Sequence, residues 1–122
     1  DGYLGWCVDK TTTIDPKKSY TFKVIPWYKN DDLPDDEKKN DWNRINYILN
    51  KKDKSSYSAT EIQNAIWYFT NDTTNYGSDL NTTALVDDAI SYGADFVPGP
   101  GDWMAVLIYI EGKQSIIIEV DP

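Results

Sequence analysis

Histidine is missing altogether from this 122-residue chain, and cysteine occurs once. The first absence removes every catalytic design that pairs a Ser or Cys nucleophile with an imidazole base. The two together nearly exclude a zinc centre, because one Cys and no His leave too few nitrogen and sulfur ligands. A single Cys also excludes an internal disulfide framework. Positive charge is scarce: 12 Lys and Arg face 20 Asp and Glu, for a net charge of −8. Nucleic acid is therefore a poor partner, since binding a phosphate backbone needs clustered Lys and Arg. No apolar run approaches the ~20 residues of a membrane helix. The longest, "WMAVLIYI" at 103–110, has the length of a strand, so no membrane insertion by this domain is expected.

What is present is enough for a core. Hydrophobic residues make up 40% of the chain and aromatic residues 14%, which separates it from disordered tails. The length suits one compact domain, residues 1–122.

The pattern along the chain predicts strands at both ends and helices between them. Residues 3–9, "YLGWCVD", suit a short strand. In "SYTFKVIPWY", 19–28, Tyr20, Phe22 and Val24 fall on one side and Thr21 and Lys23 on the other, and Pro26 ends the strand or places it at an edge. A polar, acidic segment, "KNDDLPDDEKKND", then runs into a helix marked by Trp42, Ile45, Ile48 and Leu49, ending near Lys52. Ser58 followed by Glu61 reads as a capping box. The helix it opens carries a stripe of Ile62, Ala65, Ile66 and Phe69. A third helix is predicted over 83–92, with Leu85, Val86, Ala89 and Ile90 inward and Gly93 as its stop. "PGPGD" breaks the chain, and a hairpin closes it: "WMAVLIYI", the turn "EGKQ", then "SIIIEV". The expected fold class is α+β, an antiparallel sheet or sandwich-like core from N- and C-terminal strands with a central helical portion.

Two residues stand out chemically. Gln63, in "ATEIQNAIWYF", lies on the edge of the apolar stripe, between Ile66 and Trp67. Cys7 lies between Trp6 and Val8. Taken singly, each has an ordinary structural reading, a flank amide and a small core hydrophobe. Taken together, a thiol and a carboxamide held in contact away from water can condense: sulfur attacks the amide carbon, ammonia leaves, and an internal thioester remains. Aromatic neighbours such as Trp6, Trp67 and Tyr68 would slow its hydrolysis.

The paired segments "WCVD" and "IQNAIW" resemble the thioester domains of Gram-positive bacterial surface adhesins, which carry an aromatic- or Leu-Cys-Val segment near the start and a Gln-x-Ala-aliphatic-Trp segment further on. Cys7–Val8 and Gln63, Ala65, Ile66 and Trp67 match these motifs residue for residue, and the closing hairpin with Trp103 and Gln114 looks like the family's terminal strands. The resemblance implies a single-turnover covalent binder rather than an enzyme, with autocatalytic formation of the Cys7–Gln63 thioester and no cofactor. A lysine amine on a host surface or plasma protein, fibrinogen being the kind of target, would attack the Gln63 carbonyl. Cys7 would leave, and an isopeptide bond would join the two proteins. It implies a monomeric domain on the bacterial cell surface, excised from a larger protein held in the cell wall. Lysine is mostly protonated at neutral pH, so a proton acceptor is needed. Asp9, Glu61, Asp72 and tyrosine hydroxyls are candidates.

Asp31, Asp32, Asp35 and Asp36 lack the glycine and spacing of an EF-hand loop, and read as a solvated acidic surface rather than a metal site. The Asn-x-Thr triplets at 71–73 and 81–83 read as chance matches. Five Trp and nine Tyr support a second function class, a noncovalent carbohydrate-binding module, which explains the aromatics but not the Cys–Gln pair. A purely structural stalk domain is the third, and the helical patterns oppose it.

Overall fold

A computed structural model describes residues 5–8, 22–29, 31–51, 57–70, 80–110 and 115–120. Among them, β1 (Gly5–Cys7), β2 (Lys23–Pro26), β3 (Met104–Tyr109) and β4 (Ile116–Val120) form one antiparallel sheet in the order β1-β4-β3-β2. Four helices lie between β2 and β3: α1 (Asp35–Lys38), α2 (Trp42–Lys51), α3 (Ala59–Phe69) and α4 (Leu80–Tyr92). The class is α+β. The predicted EGKQ turn and Gln114 lie outside the described residues.

The sheet turns one face to the helices. Register aligns Trp6 with Ile117, Ile117 with Leu107, and Leu107 with Ile25, while Ala105 faces Glu119. All six are buried. Directly opposed residues share a face, so this row is the floor on which the helices pack. The fully buried Ile45, Ile48, Leu49, Ile66 and Leu85 complete the core. Each such side chain contributes about 1.5–3 kcal/mol on transfer from water.

Local signals explain the helix ends. Ser58 caps α3 as a capping box: its hydroxyl accepts from the Glu61 N–H, and the Glu61 carboxylate accepts from the Ser58 N–H. Asp41 opens α2 as a simple N-cap, its side chain accepting from Arg44 N and its carbonyl from Ile45 N, while its own N–H donates to the Phe69 carbonyl. Gly93 stops α4, its N–H bonded to the Ala89 carbonyl. A Cβ there would stand 2.7 Å from that carbonyl oxygen and 3.1 Å from side-chain atoms of Arg44 and Tyr47, so only glycine fits where α4 meets α2.

Three details differ from the sequence reading. The strand predicted within 19–28 is described only over Lys23–Pro26, and the face it buries is that of Ile25, while Phe22 and Val24 are exposed. Alternation groups Phe22 with Val24 correctly, but the inward side is set by which residue meets Leu107. The acidic segment before α2 folds into α1, anchored by buried Leu33. Helix α4 begins three residues early, and its buried stripe is Thr82, Leu85, Val86 and Ala89. Ile90, expected inward, is 43% exposed. It lies one helical step past the stripe, at the margin of the face that α4 buries.

Candidate functional site

Among the described residues β1 is an edge strand, and an edge leaves half of its backbone groups unpaired. The Val8 N–H donates to the Ser115 carbonyl, which makes Val8 and Ser115 a hydrogen-bonded pair. In an antiparallel ladder such pairs alternate with residues whose N–H and C=O point away. Cys7, opposite Ile116, is one of these.

Gln63 fills the vacancy. The Cys7 N–H donates to Gln63 Oε1 at 2.8 Å, and Gln63 Nε2 donates to the Cys7 carbonyl at 2.8 Å. One side-chain amide thus takes the place of a neighbouring peptide group. A second tie lies nearby: Thr70, the C-cap of α3, donates its hydroxyl to the Val8 carbonyl at 3.0 Å. Helix α3 is thereby fastened to β1 at two adjacent residues. The position of Gln63 on the stripe's shoulder, legible in the sequence, is what lets its amide reach past Ile62 and Ile66 to the strand edge.

The same clasp occurs a second time. Asn50 of α2 accepts from the Trp103 N–H at 2.8 Å and donates to the Trp103 carbonyl at 3.0 Å. No nucleophile stands at that position, and the clasp there is structural. Asn46 adds a further pin, accepting from the Ala105 N–H at 2.8 Å and donating to the Trp42 carbonyl at 2.8 Å. What sets Gln63 apart is the thiol on the residue it clasps. Burial pushes the Cys7 thiol above its ordinary pKa, because a thiolate loses hydration there.

The aromatic candidates divide. Trp67 lies one turn beyond Gln63 on the same flank of α3 and is half-buried. Trp6 is buried on the helix-facing side of β1, and its indole N–H donates to Glu119 at 3.2 Å. By strand alternation, the Cys7 side chain leaves on the opposite face. Tyr68 is turned away from Gln63. It is 38% exposed and lines a separate cleft with Arg44 and Ile90. Both carboxylate oxygens of Glu61 are engaged, one by the Ser58 N–H and the other by the Asn81 amide at 3.0 Å. Asp9 and Asp72 lie outside the described residues. Sequence reasoning missed Thr70, Asn46 and Asn50. Their only signal was a polar residue at a position that helical spacing assigns to the apolar side.

Among the described residues, no helix is long and apolar enough to cross a membrane, and no cluster of three or more Cys, Asp or Glu side chains could hold a metal.

No protein-family model matches the sequence, and no curated protein matches it. Solved structures do match. The N-terminal domain of the Streptococcus pyogenes pilus tip adhesin Cpa superposes with a TM-score of 0.60 at 16% identity, covering 98% of this chain and 78% of that one. The chain shares its fold. The N-terminal thioester domain of the fibronectin-binding protein SfbI from Streptococcus pyogenes gives 0.55 at 16% identity, covering 98% of this chain and 81% of the other.

Proposed function

We propose that this chain is an adhesin thioester domain of a Gram-positive cell surface, in which Cys7 and Gln63 condense to an internal thioester that captures an amine on a host protein. The observation that carries the reading is the clasp itself: Gln63 Oε1 and Nε2 both lie 2.8 Å from the backbone of Cys7. The amide carbon is bonded to both contact atoms, and the thiol is carried on the same residue they touch. Condensation requires the Cys7 side chain to turn from the sheet face on which it leaves towards the strand edge, where the Gln63 amide sits. The shared fold with two streptococcal surface domains supports the same reading.

The clasp also supplies catalysis of the condensation. The Cys7 N–H points at the amide oxygen on which negative charge develops when sulfur adds to the carbon, a ready oxyanion donor. The Cys7 carbonyl holds the nitrogen that must leave. With the thiol pKa raised, sulfur starts protonated. The S–H proton passes to Nε2, the C–N bond breaks, ammonia departs and a C–S bond remains. In the capture step a neutral lysine amine adds to the same carbon, the C–S bond breaks, and Cys7 leaves. A thiolate released into a desolvated site is a stronger base than in water, so the departing sulfur itself takes the amine proton. On this reading the sulfur serves in place of an external base, and both carboxylate oxygens of Glu61 are engaged at the helix cap. The products are an isopeptide amide and a Cys7 thiol, one turnover per molecule. The cross-link between residues 7 and 63 would add about 4 kcal/mol of stability by loop closure. A monomeric domain of a larger cell-wall protein, with a plasma or surface protein of the fibrinogen kind as its target, follows from the same reading.

Intact mass measured with and without methylamine tests it, on this chain and on Cys7→Ala. The expected result is a mass short by one ammonia, absent in Cys7→Ala, with methylamine restoring one adduct. The full sequence mass and no methylamine uptake would overturn the reading.

A further inference from the structure

At the opposite edge of the sheet from Cys7, beyond β2, lies an open cleft of about 390 Å³ lined by Trp27, Tyr28, Asn40, Asp41, Trp42 and Asn43. Three strand spacings, roughly 14 Å in all, separate the two edges. We propose that this cleft is a noncovalent binding site for a neutral pyranoside sugar.

Two aromatic walls shape the cleft. Trp27 and Tyr28 stand edge to face, their ring centroids 6.1 Å apart and their planes at 88°, and Tyr28 is 55% exposed. Ring faces carry negative quadrupolar charge, and the C–H face of a pyranose is the weakly positive, apolar surface that fits against them.

The polar wall is rich in acceptors. Asn40 is only 6% exposed, yet its Oδ1 accepts no hydrogen bond among the described residues. Its Nδ2 donates to Glu37 at 2.7 Å, which settles the orientation of the amide: the reverse would set oxygen against carboxylate. A buried acceptor without a donor is uncommon and calls for an explanation. Asn43 spends its Nδ2 on the Ala94 carbonyl, leaving its oxygen as a second acceptor. A sugar hydroxyl is a donor that the open Asn43 oxygen can take; the Asn40 oxygen is shut off from solvent in the unliganded protein and meets a hydroxyl only when the Asn40 side chain turns into the cleft.

Charge decides between a sugar and a cation. Acceptors beside aromatic rings would also suit an ammonium group. Here, however, the carboxylate of the cleft is already neutralised: Asp41 pairs with Arg44 at 2.8 Å. Lys29 Nζ also stands 5.8 Å from the centroid of the Tyr28 ring, so positive charge is already in place and a neutral, hydroxyl-rich ligand is favoured over a cation. A site of this kind would let the domain dwell on a glycosylated surface while the slower covalent step proceeds elsewhere on it.

The test is a titration of the 122-residue chain, as wild type and as Cys7→Ala, with the methyl pyranosides of glucose, galactose, mannose and N-acetylglucosamine at millimolar concentrations, followed by 1H–15N NMR. The expected result is saturable shifts at the Trp27 indole N–H and the Asn40 and Asn43 side-chain amides with at least one of these sugars, equal in both proteins, and weakened about tenfold in Tyr28→Ala and Asn43→Ala. Both substitutions are at the surface, and retained dispersion of the other amides shows that the fold survives. No shift at these groups with any of the sugars overturns the proposal. So do shifts with tetralysine alone, which would make the cleft a cation site.

Discussion

Gln63 gives to Cys7 both hydrogen bonds that the open edge of β1 would otherwise leave to water. The clasp thus ties the one thiol-bearing residue of the chain to a side-chain amide. The clasp is a property of the unreacted side chains, and its contribution is separable from that of any covalent bond.

That separation is the first prediction. In a Cys7→Ala background, where no thioester can form, Gln63→Glu is expected to lower stability by about 1–3 kcal/mol. A carboxylate still accepts from the backbone N–H of residue 7 but has no proton to give to the carbonyl there, and sets negative charge against that oxygen. Urea unfolding of the single and double variants measures the difference. Equal midpoints would mean that water substitutes for the clasp.

Asn46 is wholly buried and holds the Ala105 N–H. Asn46→Leu keeps the volume but strips that N–H of its acceptor in the buried start of β3. The expected loss is about 1–3 kcal/mol of unfolding free energy, read from the urea midpoint at unchanged slope. A gain in stability would show that the strand shifts to satisfy its own backbone.

Tyr47 donates its hydroxyl to Asp88 at 2.8 Å. Burial first, then that bond and the Asp88 charge, push its pKa from 10.0 up to about 12. The folded state thus holds the phenol proton more tightly than the unfolded chain does. Its contribution to stability is whole below pH 10 and falls away as pH rises from 10 through about 12. Comparing the Cys7→Ala protein with Cys7→Ala/Tyr47→Phe should therefore show a stability gap that narrows across that alkaline window. A gap independent of pH would mean that Tyr47 titrates alike in both states.

Much of this molecule is legible in the order of its residues. The capping box at Ser58 and Glu61, the stripe Ile62–Ala65–Ile66–Phe69, the α2 stripe from Trp42 to Leu49 and the strand character of 104–109 and 116–120 all come from signals within one or two turns of chain. Ile90 and Val24 are harder. Each is apolar and in phase with its neighbours, yet exposed, because the width of the buried face depends on what packs against it. The Asn46 and Asn50 pins are illegible, since an amide in a helix declares nothing about which distant backbone it will bind.

By itself, the sequence determined the chemical inventory of this protein: no imidazole, one thiol, an excess of negative charge, and helices framed by strands. These follow from inventory and from local periodicity, which act over a few residues. The tertiary structure alone decided that β1 is an edge, that its open groups fall at Cys7, and that an amide 56 residues away closes them. It also decided that Trp6 and the Cys7 side chain part to opposite faces, and that Trp27 and Asn40 meet across a cleft. The physical reason is that strand order and helix packing are settled by the whole buried surface at once, and no short segment carries that information.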